Sequence, residues 1–331
     1  MKEVKLIIIG FGVIGRGVAE TLMEKRKYFK ETGVNLKVSA ICEINGSIVN
    51  SDGINLKKTL NLANNELDQH DDWQNTSTID VLKSLDADIA IELTPGNIET
   101  GEPGLKHIKT ALKNEKHVVT SNKAPLAIAF NELHALAKKN NLQLMYEAAV
   151  GGAIPIINLK SLLQADRILS IYGILNGTTN YILTKMTLEG VEFDVALKEA
   201  QELGYAESDP SYDINGFDTA SKVVILANSL MNKSVSFKDV KVKGIEDITP
   251  DALELAKNHG YAIKLIGDVD RLDVSPRLVP ANHPLNISGS LNAVMLHTDV
   301  AGDLTLIGRG AGAKETSSAV LSDVMSIAGA V

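Results

Sequence analysis

One cysteine and one tryptophan stand among 331 residues, and aromatic side chains make up only 4% of the chain. A lone thiol, Cys42, excludes an internal disulfide and any zinc site built from several cysteines. Long apolar runs are missing as well: the run from Leu6 to Ile9 meets glycine at once, and no stretch approaches the roughly 20 apolar residues of a membrane span. Nor is there an excess of basic residues. Lysine and arginine number 33 against 41 acidic residues, a formal charge of −8, and no basic cluster interleaved with aromatics offsets it. Nucleic acid is therefore excluded as the expected partner. What remains is an ordinary globular composition, 44% hydrophobic and 22% charged, long enough for two domains, with the cytoplasm as the default compartment.

The first motif comes early. Val4 to Ile9 is a short β-rich run that ends in Gly10-Phe11-Gly12-Val13-Ile14-Gly15, and a helical pattern follows through Val18, Leu22 and Met23. Strand, glycine turn and helix in that order make a dinucleotide site. The first glycine turns tightly, the second lets backbone N–H groups approach the pyrophosphate, and the third lets the helix pack on the strand. Leu36 to Cys42 reads as the next strand, and Glu43 at its end is placed to accept from the adenosine ribose hydroxyls, with a solvated strand end as the alternative. No arginine follows closely, so a 2′-phosphate would meet a carboxylate, which favours NAD over NADP. Residues 45 to 78 read as a long polar excursion. The pattern resumes with a strand from Asp88 to Leu93, a turn at Thr94-Pro95-Gly96, a helix from Gly104 to Leu112, and a strand from His117 to Thr120 that delivers Ser121-Asn122-Lys123. Ligands of an open parallel sheet bind beyond the carboxyl ends of its strands, so Thr94 and Lys123 are expected to face the nicotinamide half. A helix cap is the other reading of Thr94.

The segment Glu147-Ala148-Ala149-Val150-Gly151-Gly152-Ala153-Ile154-Pro155 closes the first domain as either an oxygen cage for a hard cation or a plain hinge. A helix near Ile156 to Leu163 and a strand from Ile168 to Leu175 open the second. Asn176-Gly177-Thr178-Thr179-Asn180 then turns into a helix with donors at its amino end, either an anion site suited to a carboxylate or a simple cap. A helix from Val195 to Leu203 ends at Gly204, a carboxyl-cap glycine. The nineteen residues from Gly204 to Lys222 hold four carboxylates and one lysine. Pro210 and Asn215-Gly216 make the acidic part an irregular loop. From Phe217 the apolar positions Phe217, Ala220, Val223, Val224 and Ala227 recur at helical spacing, which sets Asp218 and Lys222 at i and i+4 on one face. Clustered carboxylates repel one another unless a cation fills the gap. That cation is a metal, a ligand ammonium or Lys222 itself. Farther on, Val240 to Ile245, Ala262 to Ile266, Leu272 to Val279 and Ala293 to Leu296 read as the strands of a mixed sheet. Leu304 to Ile307 leads to a second glycine turn, Gly308-Arg309-Gly310-Ala311-Gly312, and a helix from Lys314 to about Ile327.

The amino-terminal glycine motif, the Asn176 to Ile182 segment and the run Leu203-Gly204-Tyr205-Ala206-Glu207-Ser208-Asp209-Pro210, with Asp213-x-Asn215-Gly216-x-Asp218 and Lys222 after it, resemble homoserine dehydrogenase over essentially the whole chain. The expected fold class is α/β: a Rossmann-type dinucleotide-binding domain over residues 1–150, with 304–331 returning to it, plus an α+β substrate and dimerisation domain with a mixed sheet over 151–303. The resemblance implies NAD(P)-dependent interconversion of L-homoserine and L-aspartate 4-semialdehyde in threonine and methionine biosynthesis. It also implies a homodimer, in the short form without a regulatory domain. It places Lys123 beside cofactor and substrate, a sodium-like ion at Glu147, Val150, Gly152 and Ile154, and Gly310 at the cofactor. Glu207, Asp218, Asp213, Gly204, Asn176, Gly177 and Thr178 are then the expected substrate contacts. Lys222 is the candidate acid that protonates the aldehyde oxygen. A phosphorylating aldehyde dehydrogenase would need a cysteine nucleophile, and Cys42 at the end of the second strand is badly placed for it. A regulator that binds NAD without turnover is the alternative from a different class, and two lysines at predicted ligand positions argue against it.

Overall fold

In the computed structural model, which describes residues 1–330, the opening apolar run is the strand β1 (Lys2–Ile9), with Val4, Leu6, Ile7, Ile8 and Ile9 buried. Near-continuous burial is what a central parallel strand covered on both faces requires. After the glycine turn come α1 (Val13–Glu24), α2 (Arg26–Glu31), β2 (Val34–Glu43), β3 (Gly46–Val49), α3 (Leu56–Leu60), β4 (Trp73–Gln74) and α4 (Thr78–Ser84). The series continues with β5 (Ile89–Glu92), α5 (Gly104–Lys113), β6 (His117–Thr120), α6 (Lys123–Lys139) and β7 (Leu144–Met145). The sheet runs β4-β3-β2-β1-β5-β6-β7, parallel from β2 through β7, with β3 and β4 added antiparallel at one edge. The polar excursion of the sequence therefore adds two short strands to this sheet, with α3 between them. Arg16 on α1 ties it down: Nε donates to Asn64 Oδ1 at 2.6 Å, and the guanidinium donates to the carbonyls of Leu60 and Leu62.

Contacts divide the chain into two units, Met1–Gly152 joined by the segment from Gly312, and Ala153–Ala311. The second begins with α7 (Leu159–Leu162), a single turn where a longer helix was expected, then β8 (Ile168–Ile174), α8 (Gly177–Glu189), α9 (Phe193–Glu202), α10 (Ser211–Ile214) and α11 (Phe217–Leu230). It ends with β9 (Lys241–Val242), α12 (Pro250–Asn258), β10 (Tyr261–Asp268), β11 (Asp273–Pro280), β12 (Leu291–Thr298) and β13 (Asp303–Arg309). Its sheet runs β13-β12-β8-β10-β11-β9 and is mixed, since β9 pairs parallel to β11 while the other pairs are antiparallel. Every residue of α11 from Asp218 to Leu230 is buried. Gly267 in β10 permits this: a Cβ there would lie 2.9 Å from Val223 and 3.1 Å from Thr219.

The return to the first unit starts at Gly312 and not at residue 304, because Asp303 to Arg309 are paired along their length with β12. The final helix, α13 (Ala313–Ala330), adds Val320, Leu321, Val324 and Ile327 to the core that holds Val4, Leu6, Ile8 and Val18. Gly17 in α1 marks its closest approach, since a Cβ there would lie 2.8 Å from Ser317 Oγ. Val331, the last residue of the expected returning segment, lies outside the described residues.

Candidate active site

In the first unit the glycine turn leaves room for an anion. Gly10 has φ +89°, a left-handed value that favours glycine, and a Cβ on it would lie 3.1 Å from the Leu93 carbonyl carbon. A Cβ on Gly15 would lie 2.2 Å from Gly10 O, so α1 presses directly on the turn. Gly12, the N-cap, makes no side-chain cap bond, and a Cβ on it would meet nothing within 4 Å. The first N–H groups of α1 have no intrahelical acceptors, and the positive end of the helix dipole lies with them. Tight turn, open centre and close packing are what a dinucleotide pyrophosphate requires, so these residues fit the cofactor. Phe11 is buried under the turn, Val13 is exposed and Ile14 is half-buried.

Glu43 accepts the Phe11 N–H, which fixes one carboxylate oxygen at the glycine turn. Its neighbour Cys42 is buried, and that burial pushes the thiol up to about 12. A thiol so held is no nucleophile at neutral pH, which removes the phosphorylating alternative. Thr94 is not a helix cap: its N–H and hydroxyl both donate to the Glu92 carboxylate. Lys123, half-buried, is the first residue of α6, whose N-cap Asn122 accepts the Ala124 N–H at 3.2 Å. Of the segment expected to hold a cation, Glu147 and Val150 are buried and Gly152 has a left-handed φ of +56°. Ile154, also buried, belongs to the second unit.

The second unit brings two of the four carboxylates of the acidic stretch, Asp213 and Asp218, together near a lysine. Gly216, at φ +86°, starts α11 and places Asp218 and Lys222 one turn apart, as their spacing predicts. Lys222 Nζ donates to Asp218 Oδ2 at 2.8 Å and to Leu175 O at 2.6 Å, and both side chains are only 8% exposed. Asn176, N-cap of α8, accepts the Thr179 N–H at 2.9 Å, and its amide donates to Asp213 Oδ1 at 2.7 Å and to Asp218 Oδ2 at 3.0 Å. The Thr178 hydroxyl lies 2.9 Å from Asp213 Oδ2 and 2.7 Å from Tyr205 O. Burial, and then the charge of Asp218, push the Asp213 carboxyl above the usual carboxylate range.

Of the two readings of the Asn176 turn, an anion site or a simple cap, the structure shows the cap. The Asn176 side chain caps the helix, and two carboxylates face that side chain, so the surroundings favour a cation. Gly204, at φ +75°, follows α9 as expected. Glu207 is not drawn into the buried cluster; it is exposed, and its carboxylate has no partner among the described residues. Gly310 has a packing reason independent of any ligand, because a Cβ there would lie 1.9 Å from Asn292 Nδ2. What the sequence reading missed here is backbone: the carbonyls of Leu175 and Tyr205 serve Lys222 and Thr178, and residue types do not announce them.

Two family models match. One described as "Homoserine dehydrogenase, NAD binding domain" covers residues 10–147, and one described as "Homoserine dehydrogenase" covers residues 155–325. The chain is 51% identical to a homoserine dehydrogenase of Methanocaldococcus jannaschii over 97% of this chain and 98% of that protein. It is 38% identical to an NAD(+)-dependent homoserine dehydrogenase of Pseudomonas canavaninivorans, covering 99% and 97% of the two. A solved structure from Archaeoglobus fulgidus named for the same enzyme superposes with a TM-score of 0.90 at 45% identity, covering 98% of this chain and 99% of that one. A hyperthermophilic archaeal homoserine dehydrogenase in complex with NADPH superposes with a TM-score of 0.85 at 30% identity, covering 98% and 97%.

Proposed function

The chain belongs to the homoserine dehydrogenase family, and from that premise we propose how its own residues divide the work of an NAD(P)-dependent interconversion of L-homoserine and L-aspartate 4-semialdehyde. The observation that carries the assignment is Lys222. An ammonium has three donors, and two are committed to Asp218 and Leu175 O, which aims the group and leaves one N–H for a substrate oxygen. Bound nicotinamide supplies or accepts the hydride. In the reducing direction Lys222 Nζ gives its proton to the aldehyde oxygen; in the oxidising direction the neutral amine takes the hydroxyl proton back. Glu207 brings an unpaired carboxylate to the substrate ammonium, while Asp213 and Asp218, bridged by Asn176, set the negative surroundings. Gly204, Gly177 and Thr178 shape the same cluster. In the first unit Thr94 and Lys123 serve the nicotinamide half.

NAD is the favoured cofactor, because Glu43 is anchored where an adenosine ribose belongs and would repel a 2′-phosphate. The relatives include both an NAD(+)-dependent enzyme and an NADPH complex, so a comparison of kcat/KM for the two cofactors decides the matter. A sodium-like monovalent cation at the Glu147 turn is supported by the burial of that carboxylate. A homodimer built on the second unit's sheet is supported by half-buried Tyr172, Met295 and Thr305, which align across β8, β12 and β13, and by Ile307 at 51% exposed. No helix among the described residues is long and apolar enough to cross a membrane, and we place the enzyme in the cytoplasm, feeding threonine and methionine synthesis. Growth of nicotinamide absorbance on mixing the protein with homoserine and NAD tests the activity. Cofactor binding without turnover would restore the regulatory reading.

A further inference from the structure

Glu92 is a buried carboxylate that the reaction does not use. It ends β5, is 1% exposed, and among the described residues no lysine or arginine pairs with it. Its nearest titratable neighbour is His107, whose Nδ1 lies 3.7 Å away and is itself without a hydrogen-bond partner. A buried charge is costly unless hydrogen bonds satisfy it, and here they close a ring. Glu92 Oε1 accepts the N–H of Thr94 at 3.1 Å and the Thr94 hydroxyl. Thr94 O accepts from Asn122 Nδ2 at 3.1 Å. The Asn122 N–H donates to Thr120 Oγ1 at 3.0 Å, and that hydroxyl, shared with the Glu92 carbonyl, reaches Glu92 Oε2 at 3.1 Å. Thr120 and Asn122 are buried as well.

Two elements meet at the ring. Asn122 caps α6 one residue ahead of Lys123, and the Thr94 N–H lies 3.2 Å from where a Cβ on Gly10 would stand, so the glycine turn rests on the same backbone. Two further glycines leave it space: a Cβ on Gly96 would lie 2.3 Å from Asn122 Oδ1, and one on Gly104 would lie 3.0 Å from Glu92 Oε2. The three loops follow the adjacent parallel strands β1, β5 and β6, whose ladder ends with the Leu93 N–H on Ile9 O at 2.9 Å and the Ser121 N–H on Glu92 O at 3.3 Å; past those bonds the side-chain ring ties Thr94 to Asn122.

We propose that Glu92 is a positioning residue: by closing the ring through Thr94, Asn122 and Thr120 it fixes the floor on which the nicotinamide half of the cofactor is bound. The inference rests on the placing of Thr94 beside the nicotinamide. The ring needs acceptors and shape rather than charge. In Glu92→Gln the amide oxygen still accepts from Thr94, and the amide nitrogen donates to Thr120 Oγ1, which has a lone pair free for it.

The test is NADH affinity by fluorescence titration, alongside thermal unfolding, in Glu92→Ala, Glu92→Gln and Thr120→Val. The expected result is a Kd raised at least about tenfold by Glu92→Ala and restored to within about threefold of wild type by Glu92→Gln, tenfold being 1.4 kcal/mol. Thr120→Val, which opens the ring while keeping the carboxylate, should weaken binding in the same direction, and it carries the test if Glu92→Ala does not fold. A folded Glu92→Ala, or a folded Thr120→Val, that binds NADH as wild type does overturns the proposal, as does Glu92→Gln falling with Glu92→Ala. Thr94→Val tells the two readings apart. Unchanged NADH affinity there removes the placing of Thr94 itself, whereas weakened affinity with an unaffected Glu92→Ala removes only the role of Glu92.

Discussion

Two strand–turn–helix junctions, one in each unit, start from similar sequence grammar and arrive at opposite chemistry. After β1 the turn is closed by glycines, its N-cap has no side chain, and the space where a Gly12 side chain would stand is open. After β8 the N-cap is Asn176, which satisfies Thr179 N–H with its own carbonyl and turns its amide toward Asp213 and Asp218. The helix dipole is the same at both. What differs is whether a side chain fills the space the anion would take, and which charges stand around it. A helix start is therefore an anion site only where the cap leaves it vacant, and the second junction, ringed by carboxylates, suits an ammonium.

The largest effect expected is at the lysine that the second junction surrounds. Lys222→Ala should lower kcat by roughly 10²–10⁴-fold, the usual range for a general acid, and leave NADH affinity unchanged, because the glycine turn belongs to the other unit. Steady-state rates with a parallel NADH titration check both halves of this. A variant keeping more than about a tenth of wild-type kcat would move the acid elsewhere.

A pair of glycine substitutions sharpens the contrast within the first junction. Gly15→Ala forces a methyl against Gly10 O and should destabilise the fold by about 1–3 kcal/mol, as overpacking does. Gly12→Ala adds a methyl in open space. It should leave stability within about 0.5 kcal/mol yet weaken NADH by at least about tenfold, if the pyrophosphate takes that space as proposed. Denaturant unfolding and cofactor titration on the same samples separate the two, and a Gly12→Ala protein with wild-type affinity would show the opening to be incidental.

How much of this was legible in the sequence differs between the junctions for a physical reason. The glycine turn, β1, β2, α11 and the Asp218–Lys222 pair lie within local spacing, where periodicity and turn chemistry speak directly. Asn176 reaches Asp213 and Asp218 across 37 and 42 positions, and Thr120 reaches Glu92 across 28. Such bonds are set by which strand ends the fold brings together, so the sequence left the turn at Asn176 open between an anion site and a cap. Helix α6 was legible and went unread: Leu126, Phe130, Leu133 and Ala137 are buried at helical spacing behind the cap Asn122. The polar stretch from 45 to 78 hid its two strands because β3 and β4 are short and join the sheet through their backbones.

A smaller effect is expected in the pH dependence of the second junction. Burial and Asp218 raise the Asp213 carboxyl, so the folded protein takes up that proton at a higher pH than the unfolded chain. The stability this contributes is fully present below the ordinary carboxylate range and is lost as pH rises through the raised value. Wild type should therefore gain stability relative to Asp213→Asn as the solution is acidified through that window. Denaturant unfolding of both proteins at a series of pH values measures it, and a difference that is flat or of opposite sign would mean that Asp213 is not titrating as its surroundings dictate.

The central claim is that the acidic junction recognises an ammonium, and the discrimination between homoserine and 4-hydroxybutyrate tests it most directly, since the second compound keeps the reacting hydroxyl and the carboxylate but lacks the amine. Sites built around a polar partner reject analogues lacking it by about 10⁴-fold. The ratio of kcat/KM values should approach that figure, and Glu207→Gln should narrow it by weakening homoserine more than the deaminated compound. Use of both compounds within about tenfold of each other would contradict the account and leave the carboxylates serving Lys222 alone.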